Sequence, residues 1–189
     1  IWFVLESNEE TMQKYPYPFT LELGYELKEN TVIVKWVVKN PAEEEMHFSI
    51  GGHPAFLCPI EEGTKQTDYS IRLDAGEKVA VSTLDNGLVD GKTVDHSLDQ
   101  GMLSVTEHLF DGDALVIEHD QAHSVALVKP DGETYLTVTF DAPLFGIWSP
   151  PKKQAPFICI EPWYGRCDRA DFAGDWTERE WGQTLAPGG

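Results

Sequence analysis

An all-β fold, a large antiparallel β-sandwich with little helix, is what this sequence predicts, and three observations predict it. Apolar and polar residues alternate with a period of two in several segments. Turn-forming residues recur at short intervals between them, and the 3.6-residue apolar period of amphipathic helices is nearly absent. The clearest element comes early. From Thr20 to Leu27 the apolar Leu21, Leu23, Tyr25 and Leu27 alternate with Glu22, Gly24 and Glu26. Val32 to Val38 repeats the pattern after a Glu29-Asn30 turn, which makes a hairpin with one buried face. Further strands are expected at Met46 to Ile50, Tyr69 to Leu73, Lys78 to Val81, Leu115 to Glu118, Ser124 to Lys129, Tyr135 to Phe140, Leu144 to Trp148 and Phe157 to Glu161. Between them, Asp85-Asn86-Gly87, Asp111-Gly112 and Asp131-Gly132 supply residues that tolerate positive φ or close Asx turns. Helix is expected only as a small piece near Ser104 to Phe110. There is no internal repeat, low-complexity segment or shift of composition, so residues 1–189 are read as a single domain.

Charge narrows the partners. The chain of 189 residues carries 14 Lys+Arg against 32 Asp+Glu, a formal net charge of −18. Such a surface repels phosphate backbones and anionic headgroups, because binding to either depends on clustered cations, so neither nucleic acid nor membrane is expected as a partner. At 41% hydrophobic and 11% aromatic residues the chain has the material for a core and is not an acidic disordered segment. Cys58, Cys159 and Cys167 form neither a disulfide framework nor a CxxC knuckle, which fits a reducing compartment. No run reaches the ~20 apolar residues of a membrane span, and the expected location is the cytoplasm. Oligomeric state is not legible.

Two segments carry chemistry. In Ser49-Ile50-Gly51-Gly52-His53-Pro54-Ala55-Phe56 a strand runs into a glycine pair, and the proline holds His53 in extended conformations. An imidazole on so stiff a stem is suited to trade a proton near neutral pH, though a structural turn histidine has the same pattern. In Pro156-Phe157-Ile158-Cys159-Ile160-Glu161-Pro162-Trp163-Tyr164-Gly165 an apolar strand ends on an acid. A carboxylate in apolar surroundings has its charged form disfavoured, which raises its pKa toward the range useful to a general base. Glu161 and Trp163 share a face if the strand continues, and an acid beside an aromatic plate suits a sugar, whose hydroxyls meet the carboxylate and whose C–H face meets the ring. The alternative is an edge-strand glutamate in water. Cys159 is expected to pack as a small apolar residue.

Other patterns are weaker. Asp111-Gly112-Asp113 resembles part of a calcium loop, but no bidentate Glu follows at the required position. His96, His108, His119 and His123 form no metal-binding array, and no metal or cofactor is expected. Glu43-Glu44-Glu45 reads as a solvated loop.

Taken in order, Tyr15-Pro16-Tyr17-Pro18-Phe19, Gly51-Gly52-His53-Pro54-Ala55-Phe56, Phe145-Gly146-Ile147-Trp148-Ser149 and Ile158-Cys159-Ile160-Glu161-Pro162-Trp163-Tyr164-Gly165 resemble the aldose 1-epimerase (galactose mutarotase) family, in its bacterial LacX-like branch. The resemblance implies a mutarotase-type supersandwich that interconverts the α and β anomers of an aldohexose such as galactose or glucose. It makes His53 the general acid on the ring oxygen and Glu161 the general base on the C1 hydroxyl. It assigns sugar hydroxyls to an aspartate near Asp113, from which the sequence does not separate Asp111, and it places Trp148 and Trp163 at the border of the cleft. It also implies that 1–189 lacks the N-terminal portion and the last strand of complete members, with an arginine and a second histidine that contact the sugar. Two other functions stay open. One is the related epimerase of hexose 6-phosphates, calling on Arg166 or Arg169 for the phosphate. The other is a non-catalytic carbohydrate-binding sandwich, which has no need of a matched acid and base.

Overall fold

The hairpin expected at Thr20 to Val38 is present, but the face that the alternation marks as buried is largely open, with Tyr25, Leu27, Val32 and Val34 exposed. The computed structural model describes residues 1–189, which fall into two units. The first comprises Ile1–Phe48, Trp176–Glu178 and Gly182–Gly189. Its strand β1 (Trp2–Glu6) leads into helix α1 (Glu9–Lys14), then β2 (Thr20–Lys28), β3 (Thr31–Lys39) and the short β4 (Met46–Phe48). β1, β2 and β3 form one antiparallel sheet, with the β2–β3 turn made by Glu29 at positive φ and Asn30. The helix was not expected from periodicity, because it buries no residue. It is set by its N-cap, where the Asn8 side chain accepts from the Glu10 and Thr11 amides while Thr11 Oγ1 accepts from the Asn8 amide. Buried Asn40 ties down the C-terminal segment: its Nδ2 donates to the carbonyls of Glu44, Leu185 and Ala186.

The second unit, Ser49–Asp175 with Arg179–Trp181, is a two-sheet sandwich. In chain order its strands are β5 (Ile50–Gly51), β6 (Ala55–Leu57), β7 (Ser70–Leu73), β8 (Lys78–Asp85), β9 (Leu88–Ser97), β10 (Met102–Ser104), β11 (Leu115–Ile117), β12 (Ser124–Val128), β13 (Thr134–Thr139), β14 (Leu144–Trp148) and β15 (Phe157–Tyr164). The remaining strand, β16 (Gln183–Leu185), pairs with β4 in the first unit. One sheet of the sandwich runs β10-β7-β12-β13. The other runs β5-β15-β14-β11-β8-β9, with β6 on the same edge of β15 as β5. Every pairing between the strands is antiparallel.

Between these sheets lies one core. Ile71, Leu73, Val125 and Leu127 face Val79, Val81, Leu115, Ile117, Phe145, Ile147, Ile158 and Ile160, all nearly inaccessible. The alternation is strict: residues 145 and 147, and 158 and 160, belong to this core, so 146, 148, 159 and 161 point to the opposite face. The helix expected near Ser104 to Phe110 is absent. After β10 the chain makes turns that bury Val105 and Phe110 without a helical repeat. No helix of the structure is long and apolar enough to cross a membrane.

Candidate active site

The outward face of β15 and β14 carries the sequence-selected residues. Gly146 of β14 pairs with Glu161, Trp148 with Cys159 and Leu144 with Trp163, so Cys159, Glu161 and Trp163 line one face of β15 beside Gly146 and Trp148. His53 is brought there by register. β5 pairs with the end of β15, Gly51 opposite Trp163, and β6 pairs with its start, Ala55 opposite Cys159. Gly52, His53 and Pro54 span the gap. The Gly52 amide donates to the Pro162 carbonyl at 3.0 Å and the Ile160 amide to the Pro54 carbonyl at 3.3 Å, which leaves His53 directly across from Glu161. His53 Nε2 lies 3.3 Å from Glu161 Oε1. The two side chains differ in exposure, 63% for His53 and 5% for Glu161, so one reaches solvent while the other is enclosed.

That enclosure sets the electrostatics. Burial pushes the Glu161 carboxyl up, against the attraction of His53 and a hydrogen bond from the Trp163 side chain, and the Asp113 carboxylate pushes it further; the outcome is about 6. The two aspartates that the sequence leaves together are separated by their partners. Asp111 Oδ2 is held by His108 Nδ1 at 2.9 Å, whereas Asp113, at positive φ, acts on Glu161 through its field. Trp148 meets His53 edge-on, with ring centroids 5.8 Å apart and planes at 82°.

Trp163 is the plate. Its indole lies across two glycines: a Cβ built on Gly51 would stand 2.6 Å from ring atom Cδ1, and one built on Gly146 would stand 2.4 Å from Cη2. Only residues without a side chain allow the ring to lie so close to the sheet. Sequence reasoning quoted both glycines without giving them this role; the signal is a glycine in a strand interior next to a strand that carries a tryptophan.

A second polar cluster went unpredicted. Ser82 of β8, in the row Ser82, Val116, Gly146, Glu161, donates to Glu118 Oε2, and Glu118 Oε1 accepts from Arg166 Nε and Trp181 Nε1, each at 2.7 Å. Burial raises the Glu118 carboxyl, but the hydrogen bonds of Ser82 and Arg166, the Arg166 charge and Trp181 together bring it below its ordinary value. A cleft of about 350 Å³ opens here, lined by Glu118, His119, Arg166, Arg169 and Trp181 among others. Arg166 also pairs with Glu180, and Arg169 with Asp171 at 2.9 Å. Both arginines that phosphate recognition would call on are thus engaged by carboxylates.

The comparisons agree with this architecture. The family profile described as aldose 1-epimerase matches residues 1–189. The plasmid and chromosomal LacX proteins of Lactococcus lactis subsp. lactis are each 34% identical over 170 residues, covering 87% of this chain and 56% of the relative. A galactose mutarotase related enzyme from Lactobacillus acidophilus superposes with a TM-score of 0.91 at 31% identity, over 100% of this chain and 64% of that one. A galactose mutarotase-like protein from Lactobacillus casei ATCC 334 gives 0.88 at 28% identity, over 100% and 65%. The chain therefore spans about half to two thirds of the length of these relatives. It belongs to the aldose 1-epimerase family, in its LacX-like branch, and has the galactose mutarotase-like β fold.

Proposed function

We propose that the protein is an aldose 1-epimerase that interconverts the anomers of a neutral hexose such as galactose or glucose, with Glu161 as general base and His53 as general acid. The observation that carries the reading is the contact between a buried carboxylate raised to about 6 and a solvent-reaching imidazole 3.3 Å away. A base with that pKa is mostly ionised at pH 7 yet remains basic enough to take a proton, the compromise that proton transfer at neutral pH rewards. Opening a hemiacetal requires a proton removed from the C1 hydroxyl and a proton supplied to the ring oxygen. Glu161 performs the first and protonated His53 the second, and rotation about C1–C2 followed by the reverse transfers closes the other anomer. Net proton change is zero, so the pair is ready for the next turnover. Asp113, held at the Glu161 side of the site, accepts hydroxyl protons of the sugar; Trp163 offers its face to the C–H surface, and Trp148 borders the cleft beside His53.

Polarimetry or NMR exchange on freshly dissolved α-D-galactose and α-D-glucose tests this directly. Wild type is expected to speed relaxation well above buffer, and His53→Asn and Glu161→Gln each to lose about 10²–10⁴-fold. Equal rates for wild type and Glu161→Gln would overturn the assignment, and turnover of glucose 6-phosphate alone would replace the substrate.

A further inference from the structure

The face that holds the acid and base also presents a thiol. Cys159 sits two residues before Glu161 on β15, on the same outward side, and is buried without belonging to the sandwich core. One donor atom from each of His53, Cys159 and Glu161 lies within 4.8 Å of the other two. We propose that these three residues form a binding site for Zn2+ or a similarly soft divalent cation, and that occupation of the site switches the acid–base pair off. The metal site stands on the donor geometry alone; the inhibitory consequence rests on the function proposed above.

The donor set selects the ion. A thiolate, an imidazole and one carboxylate suit zinc, which takes three protein ligands and a water where a site stays open, whereas Mg2+ and Ca2+ demand oxygen. Distances agree as well. With bonds of about 2.0–2.3 Å at a tetrahedral angle, neighbouring ligand atoms stand roughly 3.3–3.6 Å apart. The His53–Glu161 separation of 3.3 Å already matches, and the sulfur needs to close in by about 1.3 Å at most. His53, the exposed member, leaves an entry path and a fourth position for water, while the Trp163 hydrogen bond orients the Glu161 carboxyl. On binding, the thiol proton leaves to solvent as the Zn–S bond forms. The lone pair of His53 Nε2 and the base oxygen of Glu161 are then both committed to the ion, so neither can exchange a proton with sugar.

The sequence concealed this site because no cysteine stands beside a histidine along the chain; strand register alone brings residues 53 and 159 together.

The test is a Zn2+ titration of the full chain against a chromogenic chelator, repeated with Co2+ to read the thiolate-to-metal charge-transfer band. Wild type is expected to bind one Zn2+ per chain at micromolar or tighter concentrations. Cys159→Ser and His53→Asn are each expected to weaken binding by at least about tenfold, and Cys159→Ser to lose the Co2+ band. Cys167→Ser is expected to change nothing. Because the His53 side chain is exposed, His53→Asn tests the site even if Cys159→Ser fails to fold. No binding at submillimolar Zn2+, or unchanged binding in either variant, would overturn the site. Mutarotation that continues at full rate with zinc bound would overturn the switch alone, and a chain that binds zinc but relaxes no sugar would sink the function while leaving the metal site standing.

Discussion

Replacing Glu161 by glutamine should make the protein more stable and less active at once, and the stability gain should depend on pH. The carboxyl is raised from its ordinary 4.5 to about 6, with burial the largest cause. That difference corresponds to about 2 kcal/mol. The folded protein holds this proton more tightly than the unfolded chain. The contribution to stability is therefore full below about pH 4.5 and is lost as pH rises through about 6. Glutamine has nearly the same shape and never ionises. At pH 8 the variant should exceed wild type by about 2 kcal/mol, or about 4–8 °C in Tm for a chain of this size. At pH 4.5 and below, where both side chains are neutral, the two should coincide. Urea unfolding of the pair side by side at pH 4.5, 6 and 8 measures this, since the other carboxylates cancel between variants. A Glu161→Gln protein equal to or weaker than wild type at pH 8, or a gap that stays constant with pH, would refute the claim that the cleft holds this charge at a cost.

Four further outcomes follow. On the acid side kcat/KM should fall about tenfold per pH unit below about 6 as Glu161 takes up its proton. Asp113→Asn should move that limb to lower pH, because its negative charge is one of the groups that raise Glu161; a limb that stays put would show the two are uncoupled. Gly146→Ala places a Cβ 2.4 Å from the Trp163 ring and should raise KM for sugar more than it lowers kcat, with altered tryptophan fluorescence and about 1–3 kcal/mol lost in urea unfolding. Arg166→Met strands the Glu118 carboxylate, whose side chain is 6% exposed, and should cost about 3–5 kcal/mol by urea unfolding, most of it recovered when Glu118→Gln is added.

What the sequence revealed, and what it hid, follows from the range of each interaction. Phe157 to Glu161 is legible because period-two alternation is local: Ile158 and Ile160 enter the core, so Glu161 must leave it on the other side. The contact between His53 and Glu161 is not local. It depends on how Gly51 and Ala55 register against Trp163 and Cys159, more than a hundred residues away. The resemblance supplied that pairing, not the residues. Strand Trp2–Glu6 escaped because all five residues are exposed and no alternation marks them. Strand Leu88–Ser97 escaped because it is mostly polar and the ladder it makes with β8 is interrupted by a bulge. The helix at Glu9–Lys14 was missed for the same lack of a buried face, although Asn8 and Thr11 spell its cap. The piece expected at Ser104 to Phe110 failed the other way, since Val105 and Phe110 reach the core from turns.

The alternation of β15 couples two properties that are usually free to change separately. Sliding this strand by one residue against β14 would send Cys159 and Glu161 into the sandwich interior and push Ile158 and Ile160 out to the cleft, abolishing hydrophobic packing and proton transfer in a single event. Single-residue insertions or deletions between Phe157 and Trp163 are thereby barred on two independent grounds. The path open to change is substitution in place, in which position 161 can lose its charge or position 163 its ring while the frame of the strand is kept by the isoleucines behind them.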